Sequence, residues 1–376
     1  MDEILSRPTQ LPPTHTDPSE PTFPFVRAKS GTGRFQVRRQ KVAHTKTIGR
    51  IPVDAASCAK SGILSLLALD PRLLPCDPRT ALYLDTETTG LGGGAGTIAF
   101  LIGLAWFDGE GLWLEQLLLT SPIDESAMLD CLDERLKAAS MLVTFNGKSF
   151  DWPLLMGRYV MNHHQVPATL PHLDLLHVAR RLHKQRLGSV SLKRLESDVL
   201  GLLRGPDIDG AEIGPRYAHF LRTGDERALG IVIEHNATDV LSMVALVGLY
   251  GEPVDRLVPT DLIGLAQTLA RAGETSHALD VAELALTRGA GTSAMQVSAR
   301  LHKARGDRTR ALLQFEELAR DVDDPTVRLE LTKLYEHHVK DHRAALRAIE
   351  LGTSESSTQT EHRRARLERK LGRQKP

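Results

Sequence analysis

Between residues 81 and 120 the apolar side chains come in short blocks broken by turn chemistry: ALYLDT, then TIAFLIGLAWF, a DGEG turn, and LWLEQLLLT. Blocks of this length bounded by glycine predict a three-strand meander. ESAMLDCLDERLKAAS then takes up helical spacing and MLVTFN forms a short buried strand. DWPLLMGRYV, DLLHVARRL and SLKRLESDVLGLL return to helical spacing, and a long helix is predicted at about 225–249. Strands first, then a helix, a strand and more helices predict an α/β domain over 81–252, a mixed sheet flanked by helices on both faces.

The pattern changes after GEPVDRLVPT. Gly273 and Gly306 are 33 residues apart, and Ala278-Leu279, Ala311-Leu312 and Ala345-Leu346 recur at spacings of 33 and 34. A period of this length predicts stacked helical hairpins over 253–350, in which small residues let paired helices approach. LIGLAQTLARAGETSHALDVAELALTRG resembles a tetratricopeptide unit, so this part is expected to be an all-α repeat domain. The basic tail, 351–376, is read as a capping helix.

Upstream, residues 1–25 hold six prolines and little apolar content, which predicts a disordered leader. Residues 26–80 are read as a basic arm followed by a short amphipathic piece around Ala55–Leu69; the first 25 residues of that arm carry eight Lys or Arg and no acid. Arm and tail are candidates for phosphate-backbone contact, or are simply solvated. The total charge does not choose, since 47 basic side chains balance 47 acidic ones. Cys58, Cys76 and Cys131 are scattered and form no CxxC pair, which fits a reducing cytoplasm and argues against a cysteine zinc site. The longest apolar stretches fall short of the ~18 residues that span a bilayer, so no membrane association is expected.

The candidate chemistry lies in LYLDTETTGL, where Asp85 and Glu87, two apart on a strand, share a face. Asp151 follows the next buried strand in TFNGKSFD, and HNATDV puts Asp239 one helical turn after His235. Four carboxylates in one cleft repel one another and take up protons unless something positive sits among them. Hard oxygen ligands suit Mg²⁺ or Mn²⁺, and two such ions about 4 Å apart hold both the attacking and the leaving oxygen of a phosphoryl displacement. The expected reaction is phosphodiester hydrolysis. Taken singly the residues have quieter explanations: Asp151 caps a helix, or His235 is a satisfied core histidine.

In combination and in this order, LDTETTGL with GTIAFLIG, FNGKSFD and HNATDVLSM resemble the DEDD-type exonucleases on a ribonuclease-H-like fold, and more closely the YprB-type branch, which adds tetratricopeptide-like helices. The resemblance implies that Asp85, Glu87, Asp151 and Asp239 are metal ligands and that His235 orients or deprotonates the attacking water. Many members place histidine five residues before the last aspartate and a tyrosine subgroup uses four; this chain has histidine at four. The resemblance further implies 3′-to-5′ polarity, DNA rather than RNA as substrate, and a helicase or other protein partner in DNA repair. It places Thr88, Thr89, Gly90 and Leu91 beside the scissile end, a flexible turn being the alternative. Asn146 and Lys148 are candidates for phosphate contact by analogy with other carboxylate-lined sites. Two rival readings remain, an exoribonuclease and a nucleic-acid-binding scaffold acting through its helical repeats.

Overall fold

The computed structural model describes residues 25–30, 33–90 and 96–372. Residues 1–24 of the expected leader, Leu91 and the end of the tail lie outside the described residues. Among the described residues there are nine strands: β1 (Val26–Ser30), β2 (Gly33–Val42), β3 (Thr47–Ile48), β4 (Ile51–Pro52), β5 (Ala81–Thr88), β6 (Ala99–Phe107), β7 (Leu112–Leu118), β8 (Met141–Thr144) and β9 (His172–Asp174). Seven of them form one mixed sheet in the order β1-β2-β7-β6-β5-β8-β9, and β3 pairs with β4 alone. β5, β6 and β7 are the expected antiparallel meander, while β8 joins β5 in parallel and β9 joins β8. β6 is apolar almost throughout because both faces of the sheet are covered at its centre.

Even-numbered residues of β5, Leu82 and Leu84, pack with Leu129, Leu132 and Leu155 from helices Glu125–Ala138 and Asp151–Met161. Tyr83 faces the other way, into a core with Val240, Met243 and Val244 of helix Arg227–Gly251. That helix is long and apolar enough to cross a bilayer by composition, yet most of it is buried inside the fold.

The basic arm is part of the sheet. Val37 pairs with Leu117 of β7, and Phe35 and Val37 turn inward onto Ala127 and Met128. Cations of β2 fall on both faces: Arg38 meets Glu234 on the side of helix Arg227–Gly251, while Arg39 meets the buried Glu115 and Lys41 meets Glu110 at 2.5 Å on the other. These three are therefore engaged with the protein's own acids.

Beyond the sheet, helices Pro259–Arg271 and Thr275–Thr287, then Gly291–Ala304 and Arg308–Asp321, then Pro325–Leu334 and His342–Glu350, pair as three hairpins, and Ser357–Gly372 packs on the last. The turn inside each hairpin needs a left-handed residue, and Gly273 (φ 91°), Gly306 (φ 89°) and Lys340 (φ 62°) supply it at the repeat spacing. Ala278, Ala311 and Ala345 are fully buried. The first hairpin shares one continuous core with the sheet domain. A polar joint crosses the same contact: His183 bridges Asp261 (2.9 Å) and Tyr250 (3.1 Å), and Arg186 forks onto Asp261.

Candidate active site

β5 carries Asp85 and Glu87 along the face that meets helix Arg227–Gly251, and its pairing with β6 is irregular between Glu87 and Thr88. From that helix His235 and Asp239 project together, with His235 Nε2 3.7 Å from Asp239 Oδ2 and 3.9 Å from Glu87 Oε1. Asp151 is the first residue of its helix and accepts a 2.5 Å hydrogen bond from the Thr86 hydroxyl.

The loop that delivers Asp151 is held by backbone contacts. The Asp174 carboxylate accepts from Asn146 N (2.8 Å), Lys148 N (3.1 Å) and Leu176 N (3.1 Å), so it caps its own helix and ties down the preceding loop at once. Asn146 sits at φ 69°. A Cβ on Gly147 would lie 2.4 Å from Thr144 Oγ1, so only glycine passes there. The expected substrate contacts are thus partly occupied: Asn146 and Lys148 meet Asp174 through their backbone, the Thr88 hydroxyl donates to Gly90 O (2.9 Å), and the Thr89 hydroxyl accepts from Ile98 N (3.0 Å). These bonds shape the turn beside the carboxylates and leave the Asn146 and Lys148 side chains for other partners.

Loss of water, followed by repulsion from Asp239 and Asp151, holds the Asp85 carboxyl well above its usual range. The same causes push Glu87 to about 9. Burial raises Asp151 to about 6 against the opposing hydrogen bond from Thr86. Burial also raises Asp239, although His235 and Arg204 favour its charged form. Four acids with raised values next to one another signal missing positive charge.

Arg204 is the cation the sequence reading missed. Its side chain, only 9% exposed, forks onto the buried Glu196 with Nη2 2.5 Å from Oε1, and the same Nη2 donates to Asp239 Oδ1. The expected SLKRLESDVLGLL helix breaks after Leu195 into a π turn, Glu196–Leu200, which ends on Gly201 at φ 68° and carries the inward-facing Glu196. A cleft of about 470 Å³ opens beside it, lined by Lys193, Ser197, Leu203, Arg204 and Asp207 among others. Asp207 accepts from His235 Nδ1 at 2.6 Å. Burial opposes its charge, but the His235 hydrogen bond and a backbone amide outweigh that and bring it to about 2. Asp207 is therefore an ionised acceptor, and its 2.6 Å contact, shorter than the 3.2 Å from Arg204 Nη1 to the same nitrogen, puts the proton on Nδ1 and leaves Nε2 turned toward Glu87 and Asp239.

Among the described residues, no three His, Cys, Asp or Glu side chains stand grouped around one point as ligands of a single ion. Asn236 takes one oxygen of Asp85 (2.9 Å), Thr86 one of Asp151, and Arg204 one of Asp239. The donor set still fits a hard divalent cation: all four are carboxylates, and burial has left three of them without a compensating charge.

A ribonuclease H superfamily model, RNase_H_2, matches residues 82–250. Over 309 residues the chain is 32% identical to the uncharacterized protein YprB of Bacillus subtilis (strain 168), a match that covers 78% of this chain and 74% of that one. The chain belongs to the YprB family of ribonuclease-H-like proteins. Among solved structures, the family B DNA polymerase from the hyperthermophilic archaeon Pyrobaculum calidifontis matches with a TM-score of 0.36 and 14% identity, over 60% of this chain and 29% of the polymerase. The chain thus spans less than a third of that polymerase's length. In this YprB-family chain, Asn236, Arg204 and Asp207 are the residues around the carboxylates that sequence reasoning passed over, while Asp174 caps its helix as the LLHVARRL pattern implies. Only Asn236, a polar residue beside His235 on a mostly buried helix, left a local signal.

Proposed function

We propose that the protein is a metal-dependent, DEDD-type exonuclease that removes nucleotides from the 3′ end of DNA. The observation that carries the reading is the cluster of Asp85, Glu87, Asp151 and Asp239, brought from three elements into a poorly hydrated cleft where their negative charges are under-compensated. Divalent ions such as Mg²⁺ or Mn²⁺ held by these four residues would supply the positive charge that the attacking and departing oxygens need. His235 takes the proton of the attacking water at Nε2, because Asp207 keeps the other ring nitrogen protonated and fixes the ring plane. Arg204 holds Asp239 toward that ring and presents a guanidinium at the cleft edge, where phosphate passes. The polarity and the choice of DNA rest on the resemblance in LDTETTGL, FNGKSFD and HNATDV. The helical hairpins, fused to the sheet domain through a shared core, offer a fixed wall beside the substrate or a seat for a protein partner.

The test is degradation of strands labelled at either end, as single- and double-stranded DNA and as RNA, with Mg²⁺, Mn²⁺ or chelator. Shortening from the 3′ end of DNA that needs metal and is lost in Asp85→Ala and Asp239→Ala is expected. No degradation with either metal, or variants that cut as well as the parent, would overturn the enzyme reading; RNA cut in preference to DNA would overturn the substrate. His235→Ala should keep nucleic-acid binding and slow turnover by roughly 10²-fold or more, and unchanged turnover would remove His235 from the mechanism.

A further inference from the structure

Asp85 pairs with Gly103 across β5 and β6, Gly103 with Gln116 across β6 and β7, and Gln116 with Arg38 across β7 and β2. These four residues form a straight row over four strands, so their side chains point to one face of the sheet. The glycine in the row leaves a slot. A Cβ at 103 would lie 2.3 Å from Asn236 Oδ1 and 2.8 Å from its Nδ2, so the amide of Asn236, reaching down from the long helix, occupies the space over Gly103. Asn236 and Gln116 are both fully buried.

Which way each amide points follows from its neighbours. A guanidinium only donates, so the Gln116 atom facing Arg38 Nη1 is Oε1, at 3.3 Å. A backbone carbonyl only accepts, so the Gln116 atom facing Ile233 O, at 2.8 Å, is Nε2. Two partners thus fix the same orientation independently. Nε2 also donates to Asn236 Oδ1 (2.9 Å), which turns Asn236 Nδ2 onto Asp85 Oδ2 at 2.9 Å. The start of the chain of bonds is itself anchored, since Arg38 Nη1 donates to Glu234 Oε1 at 2.7 Å, on the residue next to His235.

We propose that Arg38, Gln116 and Asn236 are positioning residues that act as a directional relay, fixing one oxygen of Asp85 as an acceptor and leaving the other for the ion. The proposal rests on the reading of Asp85 as an ion ligand. Buried amides in an apolar region are costly unless every polar atom is satisfied, and this set is satisfied in one polarity only. It also gives β2 a part in the site: its arginine reaches the carboxylates through the sheet, 47 residues before Asp85 in the chain.

The experiment is Mn²⁺ titration of the full chain by electron paramagnetic resonance, with a thermal melt of each variant. Asn236→Ala should weaken Mn²⁺ binding by about 10- to 100-fold, the usual effect of removing a residue that orients a ligand. Gln116→Glu keeps shape and the Arg38 contact but presents acceptors to Ile233 O and Asn236 Oδ1; it should weaken binding comparably, while Arg38→Lys retains affinity and Arg38→Met does not. Should Asn236→Ala fail to fold, the Arg38 pair decides the question. Variants that melt lower but bind Mn²⁺ as the parent does would reduce the relay to a structural feature. Asp85→Ala separates the two levels: if it binds Mn²⁺ normally, the ligand reading falls; if it loses binding while Gln116→Glu and Arg38→Met keep it, only the relay falls.

Discussion

Replacing Arg204 by methionine tests how the site is held together before ions arrive. The guanidinium is 9% exposed and its principal partner, Glu196, is 1% exposed, so the pair is shielded from water on both sides. Methionine keeps most of the length and removes the charge, which strands the Glu196 carboxylate in the interior and releases Asp239. Breaking a buried pair from one side costs about 3–5 kcal/mol. At about 2–4 °C per kcal/mol for a domain of 150–250 residues, the melting temperature in chelator should drop by roughly 6–20 °C. The double variant Arg204→Met/Glu196→Gln should recover the part of the loss that comes from the stranded Glu196 carboxylate, while Asp239 stays without its cation. Differential scanning calorimetry in EDTA measures both. A single variant that melts with the parent, or a double variant no more stable than the single, would refute the account of Arg204 as the holder of buried charge.

The carboxylates also set a pH dependence. Glu87 titrates at about 9 in the folded protein against an ordinary 4.5, and Asp151 at about 6 against 3.8, both chiefly through burial. The folded state therefore holds protons that the unfolded chain has released, so their contribution is fully present below the unfolded values and is lost as pH rises toward about 9. In EDTA the parent should lose stability across that window relative to Glu87→Gln, and Mg²⁺ should flatten the difference; a parent that gains stability relative to the variant between pH 5 and 8 would contradict the sign. In the last hairpin, the fully buried Glu336 side chain receives Arg363 (2.9 Å), Arg366 (2.7 Å) and Lys370 (2.9 Å) from the tail, whereas Leu367 is the one buried residue of helix Ser357–Gly372. Burial opposes its charge, but bonds from Arg366 and Lys370 outweigh it and bring Glu336 to about 2, so its contribution is present above about 4.5 and disappears as pH falls to about 2. Glu336→Gln should speed tryptic cleavage within 363–370 at neutral pH; an unchanged cleavage rate would mean that packing, not charge, holds the helix.

Where a periodicity was strong, local pattern was enough. The strand alternation in LYLDTET put Asp85 and Glu87 on one face, the four-residue spacing in HNATD put His235 and Asp239 on one helix turn, and the 33- and 34-residue spacings marked the hairpins. Those rules depend on backbone geometry alone, and every chain obeys them. Residues 33–42 defeated the same approach because the cations in GRFQVRRQKV drew attention from the inward alternation of Phe35 and Val37, and the acids that neutralise them lie far along the chain. The π turn at Glu196 was hidden for a related reason: nothing in LKRLESDVL forbids a plain helix until Arg204 pulls the carboxylate inward.

By itself, then, the sequence determined which acids and which histidine share a strand face or a helix turn, and that an α/β sheet domain is followed by paired helices. Only the tertiary structure decided that Arg204 closes on Asp239, that Asp207 sets the His235 tautomer, and that Arg38 reaches Asp85 through Gln116 and Asn236. The reason is physical: periodicity says which way a side chain points, whereas charge compensation and amide polarity depend on partners that only the folded chain brings within 3 Å or so.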